Sequence, residues 1–165
     1  MVVGTKRRVK DVLVDFRKLA IGALRVVRRG IFNRLELIPY AAAARIDKQG
    51  VTLRTQKEVS GANFNDPERF GVLVGKAVYT ERRRHLGRVE TYKFDEDTGS
   101  VTVLWVKTPM VLRGLWKQTL VVSRDQVVKV TPQAVIVDEL VVKTALKPAT
   151  TAQFAQQEAD ALGTT

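Results

Sequence analysis

Apolar positions recur with a period of two along much of this chain. Val12, Val14 and Phe16 mark one run, Leu24 and Val26 another, while Val101, Val103 and Trp105 interleave with Thr102, Leu104 and Val106 in a third. A period of two places successive side chains on opposite faces of a strand. Turn formers interrupt the runs about every ten residues, which predicts short antiparallel strands curling into small barrels or half-barrels. Asp97-Thr98-Gly99, between Phe94 and Val101, reads as a hairpin turn with Gly99 supplying a positive φ. Asp47–Gly50 and Thr131–Ala134 read as two further turns. Ala41–Ala44 is too short a run for a stable helix, so a 3₁₀ turn leading into a strand is expected there.

The pattern is duplicated. Arg29-Gly30-Ile31-Phe32 returns as Arg113-Gly114-Leu115-Trp116, and Val51-Thr52-Leu53 returns as Val135-Ile136-Val137, both at an offset of 84. Upstream, Val9, Val14-Asp15, Ile21, Leu24 and Val26 fall opposite Val89, Phe94-Asp95, Val101, Leu104 and Val106 at an offset of 80. The second copy therefore gains four residues between Lys107 and Arg113. A recurrence of this length signals one supersecondary unit used twice.

The second copy runs Val74-Gly75-Lys76-Ala77-Val78, Leu86-Gly87-Arg88-Val89, Phe94-Asp95 with Thr98-Gly99-Ser100-Val101, Leu120-Val121-Val122 and Val135-Ile136-Val137. In this order the chain resembles the PRC-barrel family. The first copy resembles it through Val9–Asp15, Leu37-Ile38-Pro39-Tyr40 and Gly50-Val51-Thr52-Leu53. The resemblance implies an all-β fold of two small PRC-type barrels in tandem, and a docking role rather than catalysis. The expected boundaries are 1–56 for the first repeat, 57–70 for a polar linker, 71–139 for the second repeat and 148–165 for an Ala, Thr and Gln tail, disordered or a short helix capped by Thr151. Residues 72–79 open the second copy, whereas the first has only Met1–Arg8 before Val9. The first repeat is thus short of one strand, and residues 140–147, through Leu140–Lys143, are expected to fill that place; a chain start lying upstream is the alternative.

Composition narrows the chemistry. The chain has no cysteine, which removes disulfides, thiolate nucleophiles and cysteine-held zinc. No apolar run approaches the roughly 20 residues of a membrane span, and the expected location is the cytoplasm. Catalytic residues are not evident. His85, the one histidine, adjoins Arg82-Arg83-Arg84 and reads as a loop residue. Asp95-Glu96-Asp97-Thr98-Gly99 starts like a calcium loop, but Ser100 and Val106 occupy the positions that need glycine and glutamate. A non-enzyme without cofactor or metal is the expectation.

Binding surfaces are more legible. The net charge is +11, of which residues 1–56 carry +9 and residues 71–139 carry +3. Lys6-Arg7-Arg8, Arg28-Arg29 with Arg34, and Arg82-Arg83-Arg84 are the candidate anion contacts, and without a base-stacking motif any nucleic-acid binding would be led by phosphate. Leu24 and Val26 match Leu104 and Val106, so that face is expected in the core. The opposite face reads Ile21, Ala23, Arg25 in the first copy but Val101, Val103, Trp105 in the second, suited either to packing on the first copy or to docking a partner. Met110, Val111 and Leu112 lie in the inserted stretch, and Trp116 beside it either plugs a barrel end or joins that surface. The expected activity is that of an adaptor for a protein partner or multiprotein complex. An RNA- or ribonucleoprotein-binding assembly factor is the second reading, and contact with an anionic membrane the third.

Overall fold

The structure is a computed structural model that describes residues 3–28, 32, 34–47, 50–53, 63–110 and 118–145. Strands β1 (Val3–Asp15), β2 (Ala20–Arg28), β3 (Arg34–Pro39), β4 (Ala43–Asp47) and β5 (Gly50–Leu53) form a sheet in the order β3-β2-β1-β5-β4. A short β6 (Phe70–Gly71) adds to β1 at Val14 and Asp15. Strands β7 (Ala77–Thr80), β8 (His85–Phe94), β9 (Val101–Lys107), β10 (Thr119–Ser123), β11 (Val127–Val130) and β12 (Ala134–Val137) form the second, ordered β10-β9-β8-β7-β12-β11. The end strands of each order are joined through a three-residue 3₁₀ turn, Tyr40–Ala42 or Arg124–Gln126. Each sheet must therefore curl until its ends meet at that corner, without a ladder between them among the described residues.

The sequence offsets map one sheet onto the other. At 80, β1 and β2 answer β8 and β9; at 84, β3, the 3₁₀ turn, β4 and β5 answer β10, the second 3₁₀ turn, β11 and β12. The irregularities recur as well. The β1–β2 register shifts between Val9 and Asp11 and between Leu13 and Val14, and the β8–β9 register shifts between Val89 and Thr91 and between Lys93 and Phe94. Each shift turns a strand over locally. Strict alternation put Ile21 and Val101 on the outer faces, but both are buried in the cores with Leu24 and Leu104 respectively.

Strand β7 has no counterpart in the first sheet among the described residues. The place is closed by β1 itself, whose N-terminal half pairs directly with β5 through Val3↔Leu53 and Arg7↔Val51. The expected strand at Leu140–Lys143 is corrected by this arrangement: the segment is a helix, α1 (Leu140–Ala145), and Val141 and Val142 are buried in the second core. Burial decided the conformation over the β propensity of its valines. The Asp138 carboxylate starts the helix by accepting from the Leu140 N–H at 2.8 Å. The boundary between residues 70 and 71 also moves, because it cuts β6, which belongs with the first sheet. The tail at 148–165 lies outside the described residues.

The two sheets exchange parts. Val14, Phe16 and Leu19, at the end of β1 and in the turn after it, are buried in the core of the second sheet. Tyr92 and Phe94, at the matching end of β8, pack against the core of the first. Between the two hairpin tips Ala20 bridges Ser100, with Ile21 N–H donating to the Gly99 carbonyl at 2.8 Å and Val101 N–H to the Leu19 carbonyl at 3.0 Å. The corner residues complete the exchange: Tyr40 hydroxyl donates to the Glu96 carbonyl at 2.6 Å, and Arg124 donates to the Lys18 and Leu19 carbonyls at 2.7 and 2.9 Å. Tyr40 and Arg124 stand 84 apart, so each copy holds the other's hairpin from the same position. Units this small are marginal alone, and the exchange gives each a larger core.

Candidate functional site

The outer faces of the two sheets are built alike and finished differently. In the first sheet Asp11 pairs with Arg25 across β1 and β2, and Arg25 pairs with Leu37 of β3. The Arg25 guanidinium donates to the Asp11 carboxylate at 3.1 Å, closing the row with an ion pair. The matching row of the second sheet is Thr91, Trp105 and Val121. Trp105 is half-buried and Val121 is 57% exposed. The next row along is Leu13, Ala23 and Pro39 in the first sheet, where Leu13 and Ala23 are buried. Its counterpart is exposed Lys93 with half-buried Val103 and Ser123. The row on the other side is Arg88, Lys107 and Thr119.

This face was only partly visible as strand periodicity. Trp105 and Val103 were marked by their apolar type, whereas Val121 was missed because a lone alternating valine reads as core until the register places it opposite Trp105. Met110, just beyond β9, is 77% exposed. Val111, Leu112 and Trp116 lie outside the described residues.

The arginine clusters do not converge on one site. Arg7 is withdrawn from the anion-binding set: it is 9% exposed and donates to the Glu36 carboxylate of β3 at 2.5 Å, pinning β1 to β3 inside the first sheet. Arg8 and Arg34 are exposed. Nothing is described for Arg29 or for the side chains of Lys6 and Arg28, although the backbone of Arg28 pairs with Arg34. Arg82, Arg83 and Arg84 are exposed on the β7–β8 turn, where Arg83 takes φ 63°. That turn is fixed by Thr80 and Glu139: Arg84 N–H donates to the Thr80 hydroxyl at 3.2 Å and Arg82 N–H to the Glu139 carboxylate at 2.9 Å. Hydrogen bonding from Thr80 and then from Arg82 holds Glu139 below the usual carboxylate range.

Other titratable groups serve the junction. His85 begins β8 rather than lying in a loop, and its ring sits 5.0 Å from that of Tyr79. Burial pushes the Tyr92 hydroxyl up to about 12. Burial also lowers the Lys76 ammonium, which lies 4.5 Å over the Phe16 ring and donates to the Pro132 carbonyl, joining the two units. Among the described residues no group of three or more His, Asp or Glu side chains is placed to hold a metal ion. No helix among them is long and apolar enough to cross a membrane.

Residues 69–142, from the end of the connector through the second sheet into α1, match the family model of the PRC-barrel domain. Over this stretch the chain is similar to PRC-barrel domains. No curated protein matches the chain. PRC-barrel domains are in general interaction modules rather than catalysts, and they commonly mediate contacts between proteins. The match begins at Arg69, the residue that ties the connector to Asp15 of β1. The Thr91–Trp105–Val121 row lies within the matched residues.

Proposed function

We propose that the chain is a non-catalytic adaptor that docks a protein partner on the outer face of its PRC-barrel domain, with the first sheet serving as a diverged second copy that completes the fold. One contrast carries this reading. At the same place in the two units, the first has an Arg25–Asp11 ion pair and the second has Trp105 beside exposed Val121. A half-buried aromatic and an exposed aliphatic side chain side by side in one row are what a partner desolvates, and such anchors dominate interface energies. The second reading, contact with RNA or a ribonucleoprotein, rests on the three consecutive exposed arginines of the β7–β8 turn. Contacts of that kind would be sequence-tolerant and strongly weakened by salt.

Affinity recovery from the cell of origin, with and without nuclease, separates the two when made with variants. The expected result is a defined protein set that survives nuclease, is lost with Val121→Asp and persists when Arg82, Arg83 and Arg84 are all changed to Glu. Loss with nuclease and with the arginine variant, but not with Val121→Asp, would establish the RNA reading instead.

A further inference from the structure

The docking face has a charge pattern that specifies its occupant. Three cations flank the apolar row: Arg88 and Lys107 form the adjoining row on one side and Lys93 lies in the row on the other. All three are exposed. The ion pairs among the described residues are Arg7–Glu36, Arg25–Asp11 and Arg69–Asp15, so every one involves the first sheet and none involves these cations. Arg88 donates to the Gly75 carbonyl at 2.9 Å, which orients its guanidinium without neutralising it. One acidic residue, Glu90, occupies the bulge between Val89 and Thr91, outside the paired rows. Two of the cations distinguish the copies: exposed Lys93 stands where the first sheet has buried Leu13, and exposed Lys107 where it has half-buried Val27.

The first copy also shows that this part of the face can be covered, since Leu13 and Ala23 are buried yet belong to neither core cluster. The position is a seat for a covering segment, and in the second copy the cations select its chemistry. Resting on the docking reading above, we infer that the occupant is an acidic segment of a protein partner, which places an apolar side chain against Trp105 and Val121 and carboxylates toward Arg88, Lys93 and Lys107. The cations set rate and specificity while the apolar row sets adhesion. At an ionic strength of 0.1 M the charges act over about 10 Å, enough to span adjacent rows of the sheet.

The test is site-specific photocrosslinking of the full chain in its own cells, with a benzophenone side chain at position 121 and the crosslinked peptides mapped by mass spectrometry. Exposed Val121 tolerates the replacement without disturbing the core, and an unchanged melting temperature checks this. The expected adduct is a protein segment with net negative charge, whose yield falls about tenfold when Lys93→Glu and Lys107→Glu are combined. A neutral or basic protein segment, or a yield unmoved by the charge reversal, overturns the acidic partner while leaving protein docking intact. Adducts to RNA or lipid, or no protein adduct above that from a benzophenone at position 125, overturn both.

Discussion

Gly87→Ala is expected to be the most damaging single-methyl substitution in the chain. Gly87 is buried at φ 148°, and a Cβ built there would lie 2.1 Å from the Lys107 carbonyl oxygen and 2.8 Å from the Lys107 carbonyl carbon. Both obstacles are backbone of β9 and its end, so no rotamer change relieves them. Backbone strain and overpacking, each ~1–3 kcal/mol, together predict a loss of about 4 kcal/mol. Urea denaturation followed by circular dichroism checks this, and a loss below about 1 kcal/mol would show that β8 and β9 are not so close. The first copy carries Arg7 at the matching position, where the side chain turns inward to Glu36 instead.

Removing the carboxylate of Asp15 is the second large effect. Asp15 is 4% exposed and accepts four hydrogen bonds: from the N–H groups of Arg17 and Lys18 at 3.0 and 3.4 Å, and from Arg69 Nε and Nη2 at 3.1 and 2.8 Å. It holds the β1–β2 turn and fastens the connector before β6 to β1. Asp95 repeats the turn at the same offset, accepting from Asp97 and Thr98, but is exposed. Asp15→Ala breaks a turn and an ion pair whose carboxylate is buried and whose guanidinium is partly exposed, for which about 2 kcal/mol is expected. Asp15→Asn retains a turn acceptor and should lose less.

The pH dependence follows from the same contacts. Burial by itself raises the Asp15 pKa, but the hydrogen bond and charge of Arg69 with the two backbone donors outweigh it, leaving the group below the usual value. A lowered folded-state pKa means that the unfolded chain binds the proton first as pH falls. The stabilisation is present above the unfolded value of about 3.9 and is lost as pH drops through the folded value. Stability curves for wild type and Asp15→Asn should therefore converge below about pH 4. A gap that stays constant from pH 6 to pH 2 would assign the Asp15 contribution to geometry alone.

Much of the first-order fold was legible because it rests on local rules. Period-two patterning, Gly99 in the hairpin and the alanine-rich 3₁₀ turn followed by a strand are read from neighbouring residues, and duplication supplied the rest of the order. What was illegible depends on contacts between distant segments. The extra residues Gly22 in β2 and Thr102 in β9, left unpaired between Ala23 and Ile21 and between Val103 and Val101, reverse the facing of Ile21 and Val101, and no local signal marks an extra residue in a strand. Leu140-Val141-Val142 reads as a strand until burial makes it a helix, although Asp138 was a capping signal open to detection. The net charge pointed to the first copy as the charged binding surface, yet ion pairs there occupy Arg7 and Arg25, and the cations that have no ion pair among the described residues flank Trp105 in the second. Trp105 and Met110 were singled out by type; their neighbour Val121 required the register.

The junction makes both copies parts of one body, and this is open to direct measurement. Both tryptophans belong to the second copy, so their fluorescence is silent about the first. Native-state hydrogen exchange reads both sheets at once, through amides such as Leu24 and Ile38 in the first and Leu104 and Val122 in the second. Because Val14, Phe16 and Leu19 lie in one core while Tyr92 and Phe94 pack on the other, these amides are expected to share one opening free energy, and Arg124→Ala should lower all of them together. First-sheet amides that exchange freely while the second sheet stays protected, with Arg124→Ala changing neither, would contradict the interlocked fold.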